Sequence, residues 1–329
     1  MPELTAMHLS DTHEDAFLIE AAAAIADSEN IDVCFHTGDF VGKRQGGIGG
    51  DHETLEEVLA KNIQEASQNS SHAKQMQQIL EKYKGSDIQT IEDITDGSDR
   101  EQYAQSYQMH MQELQQAVIG AAVSAYKDTR KQMEKLAKKT KIVGVMGNHD
   151  LTLGYQLLSD IIDFAELKDE VRVKGKSGKD FIIKGTINSW EMPRGYSHPI
   201  VQQVLGEYFI NYLEGHSVND EQLQDNPQMV EAVKKTHDKE RSRLNATGDA
   251  DIFLTHKAPG GFAGGMGEHV IEYSKKAKST CGGHGHGGQI RIINGKPIFQ
   301  PGTNHIFVYD YDDDHNVEAV RIYRIRDVN

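Results

Sequence analysis

Short apolar runs that stop at a small residue and then at Asp, Asn or His recur along this chain. Residues 4–9 are mostly apolar and end at Ser10-Asp11, which predicts a first strand. Residues 16–26 are alanine-rich and predict a helix. Residues 31–35 form a second short run before Gly38-Asp39, and 141–146 a third before Gly147-Asn148-His149-Asp150. Residues 154–167 read as a helix, and 171–173 and 181–187 as a hairpin turning through 175–178. Asn226-Pro227 opens a helix running to about Leu244, since proline suits the first helical position. Residues 251–254 form a strand leading to His256. The tail alternates as short strands at 290–293, 297–299, 306–309 and 317–323.

Between the second and third strands the pattern changes. Residues 42–50 are glycine-rich, and from Asp51 to about Lys139 the chain is polar, glutamine-rich and helical in period. Apolar positions recur at Leu55, Leu59, Ile63 and Ala66, then at Met76, Leu80 and Tyr83. A second series runs Tyr107, Met111, Leu114, Val118, Ala121 and Ala125. Steps of four and three mark a helical seam. Ser98-Asp99-Arg100-Glu101 has the form of a capping box. The segment is expected to be two antiparallel helices, with Ile88, Ile91 and Ile94 packing in the connection.

Composition removes several function classes. The 329 residues carry a net charge of −15, which does not favour a broad nucleic-acid-binding face. The basic run 131–141 is interrupted by Glu134 and reads as a solvated helix face. No apolar run is long enough to span a membrane, and the start of the chain lacks signal-peptide character. Cys34 and Cys281 are too few for a disulfide framework, so a cytoplasmic protein is expected.

The candidate chemistry lies at the strand ends, the edge where open α/β sheets bind ligands. Asp11-Thr12-His13, Gly38-Asp39, Gly147-Asn148-His149-Asp150, His256 and Gly283-His284-Gly285-His286 together hold enough carboxylate, amide and imidazole for two metal ions. Each fragment alone is weak; a lone His256 is more often a satisfied core histidine than a ligand. In this order the set resembles the calcineurin-like metallophosphoesterase superfamily. The resemblance covers 1–41 and 141–329 and leaves 42–140 as a helical insertion, a cap or an oligomerisation arm.

The resemblance implies a four-layer α/β/β/α sandwich with an inserted helical hairpin. It implies that Asp11, His13 and His286 hold one ion, that Asn148, His256 and His284 hold the other, and that Asp39 bridges. It further implies a metal-dependent phosphoric ester hydrolase, acting on a phosphomonoester or phosphodiester by attack of metal-bound hydroxide. His149 would be the general acid, with Asp150 orienting its ring. Manganese or iron suits mixed oxygen and nitrogen ligands, with zinc, cobalt and nickel open. A small phosphoester or nucleotide substrate fits the acidic charge; a nuclease is the alternative, and a non-catalytic metal-binding scaffold a further one. No role is read for His8, His36, His198, His269 or His305. Arg194 and His198 lie on an irregular stretch, 191–199, that would reach a cleft, though a surface role is the more frequent one for such an arginine.

Overall fold

The computed structural model describes residues 1–13, 15–42, 55–84, 90–187, 200–201, 204, 212–259 and 267–325. The glycine-rich stretches 43–50 and 260–266, Ile88, and the 191–199 stretch with Arg194 and His198 lie outside the described residues. By contacts the chain divides into two compact units. The first comprises Met1–Thr54, Ala125–Arg194 and Tyr208–Asn329. The second comprises Leu55–Ser124 and, among the described residues of Gly195–Glu207, Ile200, Val201 and Val204.

The first unit is built on two six-stranded mixed sheets. One holds β1 (Leu4–Leu9), β2 (Val33–Thr37), β3 (Lys141–Val145), β4 (Ile162–Phe164), β11 (His305–Tyr311) and β12 (Val317–Arg324), in the order β12-β11-β1-β2-β3-β4. The other holds β5 (Val171–Lys174), β6 (Asp180–Thr186), β7 (Ile252–Lys257), β8 (Ser279–Gly283), β9 (Gln289–Ile293) and β10 (Lys296–Gln300), in the order β5-β6-β7-β8-β10-β9. Strands β1 to β4 are mutually parallel, as are β6, β7, β8 and β10. The period-2 alternation of strands sends Leu4 and Ala6, Val33 and Phe35, and Val143 and Val145 into one layer. From the other sheet Phe181, Ile183, Ile252, Leu254 and Cys281 enter the same layer, so the core lies between the sheets. Burying one such phenylalanine contributes about 1.5–3 kcal/mol.

Helices cover the sandwich. Helix α1 (Ala16–Glu29) starts at Asp15, whose side chain accepts from the amides of Phe17 and Leu18, and buries Leu18, Ile19, Ala22 and Ile25. Lys135 and Lys139 pair with Glu20 and Asp27 of α1, each at 2.8 Å. On the second sheet, Leu244, Phe253, Val270, Tyr273 and Ala277 form a separate apolar cluster. It joins the helices Pro227–Asn245 and Glu268–Lys276 to the outward side of β7. The Pro227 helix starts as the sequence predicts, with Asn226 Oδ1 accepting from the Met229 amide at 3.1 Å.

Several expectations need correction. The helix expected over 154–167 is only Leu153–Leu158; β4 and a short 3-10 turn at Ala165–Leu167 follow. Arg130 stops it by donating to the Leu157 carbonyl at 2.7 Å and gripping both oxygens of Asp160 at 2.6 Å. Strand β8 and the helix before it carry no strong apolar signal. Ser-Thr-Cys-Gly-Gly is nonetheless fully buried, paired between β7 and β10.

Among the described residues of 55–124 in the second unit there are three α-helices where two were expected: α2 (Leu55–Asn69), α3 (Ser71–Lys82) and the first part of α4 (Gly97–Ala137). Ser70 breaks the first arm by capping α3, its hydroxyl accepting from the Ala73 amide at 3.0 Å. The arms do run antiparallel. Ser70, Gln75 and Lys82 on one side meet His110, Ser106 and Asp99 on the other. Asp96, not Ser98, caps α4; its Oδ1 accepts from the amides of Ser98 and Asp99 at 2.8 and 3.0 Å. The seam is also shifted. Leu59, Ile63, Leu114 and Val118 are buried, but Leu80 is 40% and Tyr107 51% exposed, and Ile79 is buried instead. No described helix is long and apolar enough to cross a membrane.

Candidate metal centre

The candidate ligands gather where parallel strands end. Asp11 and His13 follow β1, Asp39 follows β2, and Asn148 follows β3. His256 is the next-to-last residue of β7, and His284 and His286 follow β8. The sheets face each other, so these ends converge from both sides of the core.

Contacts link all seven residues. His13 Nε2 is 3.8 Å from Asp39 Oδ2, and His256 Nε2 is 3.4 Å from the same oxygen. Asn148 Oδ1 lies 2.8 Å from His256 Nε2 and 3.0 Å from His284 Nδ1. The His284 amide donates to Asp11 Oδ2 at 3.0 Å, and His286 Nε2 is 3.8 Å from Asp11 Oδ1. Two groups of ligand atoms are tight enough for one ion each: Asp11, His13 and His286, and Asp11, Asp39 and His256. Asp11 thus stands in both groups, whereas the sequence pointed to Asp39 alone as shared.

Close backbone approach makes this convergence possible. Gly38 adopts φ +91°, and a Cβ there would lie 2.5 Å from the Gly147 nitrogen. A Cβ on Gly147 would lie 2.2 Å from Asp39 Oδ1. Four of the candidate ligands are themselves left-handed: Asp11 (φ 51°), His13 (43°), Asp39 (56°) and His284 (64°). Such backbone costs on the order of 1 kcal/mol or more per residue and persists where its surroundings enforce it, commonly at functional sites.

Electrostatics prepare the side chains for a cation. Burial pushes the imidazoles of His13 and His284 down to about 3, so both are neutral near pH 7, the form in which imidazole binds metal. Burial pushes Asp39 up, but His256, His149 and His13 outweigh it and hold the carboxyl well below its usual range. Burial raises Asp11, opposed by His256 and reinforced by Asp39. Asp11 Oδ1 and His13 Nε2 are buried without a hydrogen-bond partner. Atoms of this kind are costly when left unmatched. His256 Nδ1 lies 2.7 Å from the Thr37 carbonyl, which only accepts, so Nδ1 carries the proton. His256 Nε2 faces Asn148 Oδ1 and Asp39 Oδ2. The donor set of imidazoles, carboxylates and one amide oxygen fits divalent ions.

His149 stands beside this set. Its amide donates to Asp39 Oδ1 at 2.9 Å, and its ring lies edge-on to that of His13, centroids 5.1 Å apart. Asp150 faces the main chain of two turns. Its Oδ1 accepts from the amides of Phe40 (2.9 Å) and Val41 (3.2 Å), and its Oδ2 from Gly147 (2.9 Å). These bonds tie the Asp39 turn to the Asn148 turn and commit both carboxylate oxygens to main chain.

Two histidines given no role sit directly behind the centre. His36 Nε2 lies 3.0 Å from Thr12 Oγ1, and its ring stacks on Phe40 at 3.8 Å. His8 lies between Tyr309 Oη (2.8 Å) and Thr37 Oγ1 (2.9 Å). A signal was present in the sequence: each stands three residues before a candidate ligand, as His8-x-x-Asp11 and His36-x-x-Asp39.

No family model matches the chain, and no curated protein matches it. Solved structures do. A putative 5'-nucleotidase from Staphylococcus aureus aligns over 98% of this chain and 54% of its own, at 11% identity and TM-score 0.46. The phosphopantetheinyl hydrolase of Mycobacterium tuberculosis aligns over 92% and 89%, at 11% identity and TM-score 0.45. A novel archaeal phosphodiesterase aligns over 98% and 99%, at 13% identity and TM-score 0.34. At such values the functional reading rests on the site itself.

Proposed function

We propose that this chain is a dimetal-dependent phosphoesterase that hydrolyses a phosphomonoester or a phosphodiester. The observation that carries the reading is the convergence of Asp11, His13, Asp39, Asn148, His256, His284 and His286 at the facing strand ends. Asp11, His13 and His286 would hold one ion, Asn148, His256 and His284 the other, and Asp39 would stand between them. An ion pair of this kind supplies a lowered pKa for water and positive charge for the phosphoryl oxygens.

The chain's own residues do the rest. Asp39, whose carboxyl is held well below its usual range, offers one oxygen inward while its other oxygen fixes the His149 amide. That bond sets His149 against the centre, where its ring donates a proton to the leaving ester oxygen. Asp150 holds the Asp39 and Asn148 turns in mutual register.

The test is hydrolysis of an aryl phosphomonoester and a bis-aryl phosphodiester by protein purified with manganese. The reading expects turnover of at least one ester, lost in Asp39→Asn. In His149→Ala it expects a loss greatest for the poorer leaving group. Turnover unchanged in Asp39→Asn would overturn it.

A further inference from the structure

Strand alternation places His8 and Thr37 in the layer between the two sheets. Leu4 and Ala6 face that layer, so His8 does; Val33 and Phe35 face it, so Thr37 does; His256 lies at the irregularity between Thr255 and Lys257 and reaches the layer through its contact with the Thr37 carbonyl. All three are fully buried. They form one chain of contacts from the core to the candidate centre. Tyr309 Oη lies 2.8 Å from His8 Nδ1, and His8 Nε2 lies 2.9 Å from Thr37 Oγ1. The Thr37 carbonyl accepts from His256 Nδ1 at 2.7 Å, across from one sheet to the other.

We propose that His8 is a positioning residue for the candidate centre: by fixing Thr37 it holds the carbonyl that sets the tautomer and ring angle of His256. The inference rests on the reading of the centre as a metal site and assigns His8 no contact with ion or substrate. Thr37 is the last residue of β2, paired there with Val145 of β3, and the left-handed turn of Gly38 and Asp39 follows it. The ladder fixes its main chain on the β3 side, and His8 holds its side chain from β1 on the other. Burial pushes His8 down to about 3, so the ring stays neutral and keeps this bridging role across the ordinary pH range. Partners behind a metal-bound histidine commonly matter for affinity by 10–100-fold.

The chemistry of His8 supplies a test that separates positioning from packing. Glutamine places a nitrogen near the site of Nε2 and keeps the Thr37 contact. Asparagine places one near the site of Nδ1 and keeps only the Tyr309 contact. Zinc affinity is measured by titration calorimetry on the full chain. The His256 ring is followed by 15N NMR of the zinc-loaded, histidine-labelled protein, assigned with His256→Gln. His8→Asn is expected to weaken zinc binding roughly tenfold or more and to shift the His256 Nδ1–H signal. His8→Gln is expected to stay within about twofold of wild type by the same reasoning. Equal effects of the two substitutions, or none in either, would overturn the role of His8. If neither variant folds, Thr37→Val carries the same test by removing a single hydroxyl, and wild-type affinity there would overturn it. Wild-type protein that binds no zinc removes the metal-centre reading itself, whereas wild-type protein that binds two ions, with His8→Asn its equal, removes the role of His8 alone.

Discussion

Asn148 Oδ1 lies 2.8 Å from His256 Nε2 and 3.0 Å from His284 Nδ1. A cation at this junction would be held by the amide oxygen and the imidazole nitrogens together. Bound ions should therefore stabilise the fold, by about 2.7 kcal/mol when the free ion is at a hundred times its Kd. Chelation should lower the melting temperature and manganese should restore it. Asn148→Ala should lose most of that metal-dependent gain. An equal manganese response in both proteins would contradict the pairing.

Gly147 leaves no room for a side chain. A Cβ there would sit 2.2 Å from Asp39 Oδ1 and 2.5 Å from the Asp39 nitrogen. Gly147→Ala should cost about 1–3 kcal/mol of stability through overpacking. It should also lower metal affinity, because the atom that must move belongs to a candidate ligand. Unaltered binding of both ions would show that Asp39 is not needed in its present place.

Asp150 accepts three main-chain hydrogen bonds. Asn keeps one acceptor oxygen and turns an N–H donor toward another donor, so Asp150→Asn should destabilise by about 2 kcal/mol. Because Asp150 holds the two turns, kcat/KM should fall by similar factors for good and poor leaving groups. A selective loss on poor leaving groups would point to the orienting role suggested by the sequence.

The strands and the convergence of the candidate ligands were legible because apolar runs and chemistry-bearing residues coincide at strand ends. The Leu4–Leu9 strand, the Asp180–Thr186 hairpin arm and the Asn226 cap all follow from local pattern. Strand β8 was not legible, since its burial comes from neighbours on both sides and not from large apolar residues. The break at Ser70 and the cap at Asp96 depend on single hydrogen bonds that a seven-residue rhythm does not report. The main-chain bonds of Asp150 were not legible, because adjacency in sequence says nothing of which backbone amides a side chain meets across a turn. His8 and His36 were passed over although their spacing to Asp11 and Asp39 repeats.

Glu166 gives a pH signature outside the centre. It is buried, accepts from the Met146 amide at 2.8 Å and from Tyr155 Oη at 3.0 Å, and burial pushes its carboxyl from 4.5 up to about 7. Between those values the folded chain holds a proton that the unfolded chain releases, so this group's contribution to stability falls as pH rises. The loss approaches roughly 3 kcal/mol by pH 8, at 1.36 kcal/mol per pKa unit. Glu166→Gln mimics the protonated form and should be more stabilising, relative to wild type, at pH 8 than at pH 5 in urea titrations. A difference independent of pH would show that Glu166 ionises in the folded protein as it does in water.

The most direct measurement of the central claim is metal stoichiometry: divalent ions bound per chain, by elemental analysis and calorimetry, in wild type and in Asp39→Asn. The account predicts two ions in wild type and the loss of at least one, with ester hydrolysis, in the variant. No stoichiometric ion in wild type, or two ions undisturbed in Asp39→Asn, would contradict it.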